Sequence, residues 1–441
     1  MSEGEGFGRQ LVQVVSGRAL VRLSQFILLL VLARALSPSE FGVYGLITTL
    51  VALGSSLGTL GLRQAVALEL GKGRVEPRGS MLTLLVLWVP LAAVAMLVVV
   101  RVLGMVTGGS VSSRLLALTA LALATAMLLT LLQGGLLGLG FVSVFAYSDS
   151  SPKVVLLCGC VALALFSSLS LDSVLIAQVV AYAFALPICF VSLWRVGGDS
   201  SLLKSEIPRM LRYGFFFAGN LALITLLSRI PIFFLVDGDD TSVAGSFFAG
   251  ARISEALLEI AAVVGLVVFS RTVRGKSDED SLSFTVDLAR RMFWMFAFLG
   301  MVVGAVAPVA VPAVVGPGYD GIQNVVLVLA LGLPAAAASK VIYPALAGMG
   351  RALQGTPVLL FAVAVNVALS IAIVPNWGVV GGAVALVVSQ YTVYIGYVLL
   401  FKFRFHVDFV LVLVPNGSDK LMIVTCLDNL RLRLSRSRRV P

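Results

Sequence analysis

Arg229, Arg252, Glu255 and Glu259 lie inside long apolar runs, where an ionisable side chain needs a cause. At mid-bilayer each costs about 2.5–3.5 kcal/mol or more, so it marks a helix interface or a polar cavity. Arg229 falls about 16 residues, roughly 24 Å at 1.5 Å per residue, into its run. Arg252 falls about 9 residues into the next, so the two approach in depth across a core roughly 30 Å thick. Arg252, Glu255 and Glu259 share one helix face, which must point away from lipid. Arg229 has only Thr225, Leu226, Ile232 and Phe233 at helical spacing. Two readings stay open. In one, Glu255 or Glu259 neutralises Arg252 and the group locks helices. In the other, Arg229 and Arg252 line a cavity for an anionic ligand while a carboxylate titrates or exchanges partners. Lys340 either joins that site or snorkels toward the nearer surface. Arg18 and Arg22 share a face with Gln25 and are either anchors or a basic cavity entrance. Thr48, Thr49, Gln133, Gln178, Asn220, Asn366, Ser370 and Gln390 suit a hydrophilic cavity or interhelical hydrogen bonds equally.

Other chemistries have few residues to work with. The one histidine, His406, stands near the C-terminal end, which argues against His-ligated metals, haem and His-dependent triads. Four cysteines form no C-x-x-C pair. No cofactor and no enzymatic activity are expected.

The positioning elements follow from composition. The 441 residues are 59% hydrophobic and 12% charged, with mean hydropathy +1.03. Soluble domains carry about 25% charged residues, so the chain belongs in a bilayer. Its hydropathy predicts twelve spans: 13–36, 42–62, 81–103, 115–136, 153–170, 174–194, 213–236, 243–269, 290–314, 324–347, 357–374 and 378–401. The first run is too long for a signal-peptide core and reads as a signal anchor. With the N-terminus cytoplasmic, 26 of the 32 Lys and Arg fall on the cytoplasmic side, Lys153 among them. Both termini are therefore expected in the cytoplasm of a multi-pass plasma-membrane protein. The net charge of +10 reflects this bias and gives no reason to expect nucleic acid. Outward connections are short, including Pro375 to Trp377, leaving no loop for an enzyme acting on surface glycans.

The halves repeat at an offset of about 203 to 210 residues. Phe41-Gly42-Val43-Tyr44 matches Ala244-Gly245-Ser246-Phe247, and Leu136, Gly138 and Gly140 match Leu346, Gly348 and Gly350. Six spans per half keep both repeats in one orientation, related by an axis along the membrane normal. The expected fold is an all-α polytopic membrane protein. Its about twelve transmembrane helices form two pseudo-symmetric six-helix bundles, 1–200 and 201–405, around a central cavity, with a basic tail at 406–441. This is transporter architecture.

The segment from Arg18 to Glu69 carries Leu32-Ala33-Arg34, Ser37-Pro38-Ser39-Glu40-Phe41-Gly42-Val43-Tyr44 and Leu60-Gly61-Leu62. It resembles the opening of the Wzx-type polysaccharide (O-antigen or exopolysaccharide) flippases of the multidrug/oligosaccharidyl-lipid/polysaccharide exporter superfamily. AGSFFAGARISEALLEI, LAGMGR and NVALSIAIVPNWGVVGGAVA also look like that family, so the resemblance spans almost the whole chain. It implies a carrier of polyprenyl-diphosphate-linked oligosaccharide in the bacterial inner membrane, alongside glycan polymerase or assembly proteins. Basic cavity residues would face the diphosphate, and Arg18 and Arg22 would stand where it enters. Coupling to an ion gradient is typical of the superfamily. Many relatives carry an acidic residue just after the seventh-span arginine, where this chain has Pro231; Glu255 and Glu259 then become the ion-coupling candidates. The large majority of first-half spans are also expected to lack a buried carboxylate, unlike many drug or lipid II exporters of the superfamily. A drug/cation antiporter of the same fold is the main alternative, which the Arg-rich interior disfavours. A lipid II flippase, whose relatives usually have fourteen spans, is less favoured, and a glycan polymerase or ligase least.

Overall fold

The computed structural model describes residues 24–166, 169–203, 205–236, 241–274, 278–316, 319 and 321–407. Arg18, Arg22 and the tail from 408 onward lie outside the described residues. Among the described residues every regular element is helical. They run α1 (Ser24–Ala35), α2 (Pro38–Gly58), α3 (Leu62–Gly71), α4 (Pro77–Val106), α5 (Ser113–Gly138), α6 (Val142–Phe166) and α7 (Leu171–Val196). The second half holds α8 (Ile207–Leu227), α9 (Ile230–Phe234), α10 (Ser242–Arg274), α11 (Asp278–Val315), α12 (Ile322–Gly348) and α13 (Thr356–Phe405).

Local chemistry sets several boundaries. Ser37 caps α2 in a reciprocal box with Glu40, and Pro38 occupies the first turn, where its missing N–H costs nothing. Ser112 caps α5 and Ser170 caps α7. The repeat expected at the ends of the fourth and tenth spans is real. The N–H groups of Gly140 and Phe141 reach the carbonyls of Leu137 and Leu136, and those of Gly350 and Arg351 reach Ala347 and Leu346. Gly140 and Gly350 have φ of 74° and 72°, so both helices end in the same left-handed glycine cap.

Among the described residues, eight helices are individually long and apolar enough to cross a bilayer. Twelve crossings result when α13 is taken as two limbs and α1, α8 with α9, and α10 are added. Gly378, at φ 51° and ψ −130°, divides α13. Asn366 on one limb donates to Ser389 on the other, so the limbs run antiparallel. The turn expected at Pro375 to Trp377 thus remains helical, and Gly378 alone makes the reversal.

Other differences matter for the site. The fifth span, expected from 153, begins at Val142, because the polar stretch 148–153 satisfies itself inside the helix. Ser148 and Ser150 donate to the carbonyls of Phe145 and Ala146, and Lys153 pairs with Asp149 at 2.7 Å. The ninth begins at Asp278 rather than 290, where Arg290 and Arg291 both pair with Asp287. The seventh is broken. Pro231 has no N–H for the carbonyl of Leu227, four residues back, and the chain leaves α8 before restarting as α9. Asn366 Nδ2 donates to that freed carbonyl at 2.9 Å.

The helices form two lobes, α1–α7 and α8–α13. In the first, α5 packs on α3, α4 and α7; in the second, α12 packs on α10, α11 and α13. The lobes meet through α2 on α10 and through α3 on α8. A Cβ on Gly42 would lie 2.0 Å from the carbonyl oxygen of Thr241, and one on Gly245 would lie 2.2 Å from that of Pro38. Residues 38 and 42 correspond to 241 and 245 in the repeat, so these contacts are reciprocal, as a two-fold axis between them requires. Thr241 Oγ1 donates to the carbonyl of Ser39, and its oxygen lies 2.8 Å from Ser39 Oγ.

Candidate functional site

A cavity of about 480 Å³ lies between the lobes. Its second-lobe wall consists of Thr225 from α8 with Phe248, Arg252, Glu255 and Ala256 from α10; α1, α2, α5, α6 and α7 form the rest. The expected central cavity is present, with most of its surface from the first lobe.

The helix break at Ser228 and Arg229 delivers the Arg229 guanidinium to Glu255, on α10. Arg229 Nη2 lies 2.9 Å from Glu255 Oε1, while Arg252 Nη1 lies 3.0 Å from Oε2. One carboxylate therefore bridges two guanidiniums, leaving one positive charge of the trio uncompensated. Both arginines also sit over the Phe248 ring, at 5.9 Å and 4.9 Å from its centroid, where the negative face favours cations. Arg229 is 11% exposed; Arg252 and Glu255 are about one-third exposed, toward the cavity. Arg252 supplies the exposed donor, Glu255 the bridge, and Arg229 lies behind them outside the cavity lining.

The remaining candidates separate by position. Glu259 is half-buried one turn along α10 and is not part of the cavity lining. Lys340 is exposed on α12, within electrostatic reach of Glu255, and also outside the lining. Thr48, Gln133 and Gln178 do line the cavity. Asn366 and Ser370 instead join a buried network with Ser389, and Asn220 accepts from Thr356.

Sequence reasoning placed Gln133 and Gln178 of the opposite wall but missed its charged and phenolic residues. Asp149 and Lys153 line the cavity from α6, with Tyr182 from α7 and Tyr44 from α2. Glu69, fully buried on α3, is a first-half carboxylate that the expectation did not place, while Asp149 is about half exposed. Lys153, expected on the cytoplasmic flank, faces the cavity from within a helix. The opposite charges four residues apart at 149 and 153 were the available helical signal, hidden by the surrounding serines and Pro152. Glu69 bonds Arg209 of α8 at 2.6 Å and lies 3.5 Å from Arg74, joining the lobes at the far end from Gly42. Among the described residues no group of three His, Cys, Asp or Glu could hold a metal ion.

Two lobes of this form define the transporter fold of the multidrug/oligosaccharidyl-lipid/polysaccharide superfamily. The chain resembles an inward-facing multidrug resistance MATE family transporter, with TM-score 0.66 at 15% identity, covering 88% of this chain and 98% of that one. It also resembles the lipid II flippase MurJ in an inward closed conformation, with TM-score 0.64 at 13% identity, covering 89% and 87%. A point-substituted Vibrio cholerae MATE transporter, VcmN, gives TM-score 0.64 at 12% identity, covering 92% and 98%. No curated protein matches the chain. The family model described as polysaccharide biosynthesis protein matches residues 9–272, and the chain belongs to that family, the one to which the Wzx-type flippases belong.

Proposed function

We propose that the protein carries a polyprenyl-diphosphate-linked oligosaccharide from the cytoplasmic to the outer leaflet of a bacterial plasma membrane, for polysaccharide assembly. The observation that carries this reading is the Glu255 bridge. Arg229 and Arg252 are held together over Phe248 by one carboxylate, so the cluster keeps one net positive charge beside the cavity for a diphosphate. Glu255 is also the ion-coupling candidate best placed to exchange partners, because its carboxylate touches both arginines. Transport proceeds by alternating access between the bundles 1–200 and 201–405, with both termini cytoplasmic. The contact of Gly42 with Gly245 then closes the outer end, and the Glu69–Arg209 pair closes the inner end. A glycan polymerase would receive the cargo outside.

Deleting the gene and extracting membrane lipids tests this reading. Accumulated lipid-linked repeat units with depleted surface glycan are expected, and unchanged levels of both, in a strain with no second carrier, would remove the reading. At the site, Arg252→Ala and Arg229→Ala are each expected to lower complementation of that deletion at least tenfold at equal protein level, a loss of about 1.4 kcal/mol in effective recognition. Full complementation by both variants would detach the function from this cluster.

A further inference from the structure

The contact between the lobes at the Gly42 end extends beyond α2 and α10. Phe41, fully buried in the first turn of α2, meets the Tyr319 ring of the second lobe edge to face at 5.8 Å, and Tyr319 is itself 5% exposed. Arg34, at the end of α1, reaches the same region. Its Nη2 donates to the carbonyl of Ala313, in the last turn of α11, at 2.8 Å. The α1–α2 turn is therefore held by the start of α10 and by the end of α11 together.

Carbonyls in the last turn of a helix lack a donor unless the chain beyond, a side chain or water supplies one. At the end of α11 the chain stops supplying donors just before Ala313 is served. The N–H of Gly316 reaches the carbonyl of Pro312, and the next in sequence order, residue 317, is a proline with no N–H to give. At the repeat offset the end of α11 corresponds to that of α4, which closes on its own backbone. There the N–H groups of Thr107, Gly108 and Gly109 reach the carbonyls of Leu103, Met105 and Gly104. One helix thus ends on its own chain, and its counterpart ends on a guanidinium from the opposite lobe. Arg34 is exposed, so water has access to this end. The guanidinium adds what water lacks: a full positive charge at the negative end of the helix, in a charge-assisted hydrogen bond. That gain exists only while the lobes meet here.

We propose that Arg34 is an interlobe latch, which holds the outer end closed on α11 and sets how often that end opens. The proposal rests on the alternating access of the proposed function, and not on the identity of the cargo. When the outer end parts, Arg34 leaves with the first lobe, and both the guanidinium and the Ala313 carbonyl return to water. The bond therefore favours one of two states, and its loss shifts their populations without altering either lobe. Because the donor meets a particular backbone carbonyl, positive charge elsewhere on the outer surface does not replace it.

The test measures the two populations by double electron–electron resonance on the full chain in lipid nanodiscs. In a background lacking Cys158, Cys160, Cys189 and Cys426, spin labels are placed at Leu165→Cys and Trp377→Cys, exposed sites at the same end of α6 and of the first limb of α13. A shorter distance reports the closed outer end and a longer one the open end. Arg34→Ala is expected to raise the ratio of open to closed about threefold or more. Arg34→Gln, which keeps the apolar stem, should raise it about twofold or more and serves if Arg34→Ala does not fold. Arg101→Ala removes another exposed arginine from the first lobe, on α4, and should leave the ratio within about twofold. Unchanged proportions of the two distances after Arg34→Ala would overturn the latch, as would an equal shift from Arg101→Ala, which would assign the effect to surface charge. A single short distance in every variant is a different failure, removing alternating access at this end and the latch with it.

Discussion

At the scale of residues, Glu255 is the member of the cluster whose loss leaves most behind. Its removal strands Arg229, which is almost covered, and Arg252 together. Breaking a buried pair by deleting one partner costs about 3–5 kcal/mol, whereas an exposed pair is worth about 1 kcal/mol or less. Glu255→Gln is therefore expected to lower unfolding free energy in SDS titration by about 3 kcal/mol or more. Arg252→Ala, which leaves the Arg229–Glu255 pair intact, should cost about 1 kcal/mol. The reverse order would mean that Arg252 holds the cluster. Sequence spacing exposed Arg252 and Glu255, three apart on one helix, but could not expose Arg229 with Glu255, which are 26 residues apart on different helices. It likewise hid Asp149 and Lys153, because Ser-Asp-Ser-Ser-Pro-Lys has the composition of a turn. Inside the helix the hydroxyls of Ser148 and Ser150 bond back to the carbonyls of Phe145 and Ala146, and Lys153 pairs with Asp149 one turn away.

Among the elements, the broken seventh crossing shows a local rule obeyed and then repaired. Pro231 frees the Leu227 carbonyl, and Asn366 supplies the missing donor from α13 while also reaching Ser389. Asn366→Leu removes both bonds and the one Asn366 accepts from Ser370, and is expected to cost about 1–3 kcal/mol in the same titration. Pro231→Ala restores a backbone donor for Leu227, so its stability should stay within about 1 kcal/mol of the parent. A larger loss at Pro231 than at Asn366 would show that the brace lies elsewhere. Most crossings were legible, because apolar run length, Ser caps and terminal glycines are local signals. The early start of α6, the extension of α11 and the single-residue reversal at Gly378 were not, since each depends on side-chain pairing or backbone freedom that hydropathy does not register.

At the scale of the whole molecule, the lobes touch on opposite sides of the cavity, where α2 meets α10 and where α3 meets α8. At one, Ser39 and Thr241 have hydroxyl oxygens 2.8 Å apart, close enough for a cysteine pair to form a disulfide. In a background lacking Cys158, Cys160, Cys189 and Cys426, the pair Ser39→Cys and Thr241→Cys should cross-link under oxidation and stop export, with dithiothreitol restoring it. Export unaffected by complete cross-linking would show that this end need not open. The reciprocal fit of Gly42 and Gly245 has a consequence for ancestry. A surface in which each side repeats the other's contacts is one that two identical chains can share. A single six-helix unit could have met its own copy across these glycines, but such a homodimer would have enclosed its cavity with two identical walls. Joining the copies into one polypeptide released each wall to change alone. A cavity with guanidiniums on one side and a neutral carboxylate-ammonium pair on the other needs two walls of different sequence, which one chain carrying both halves supplies.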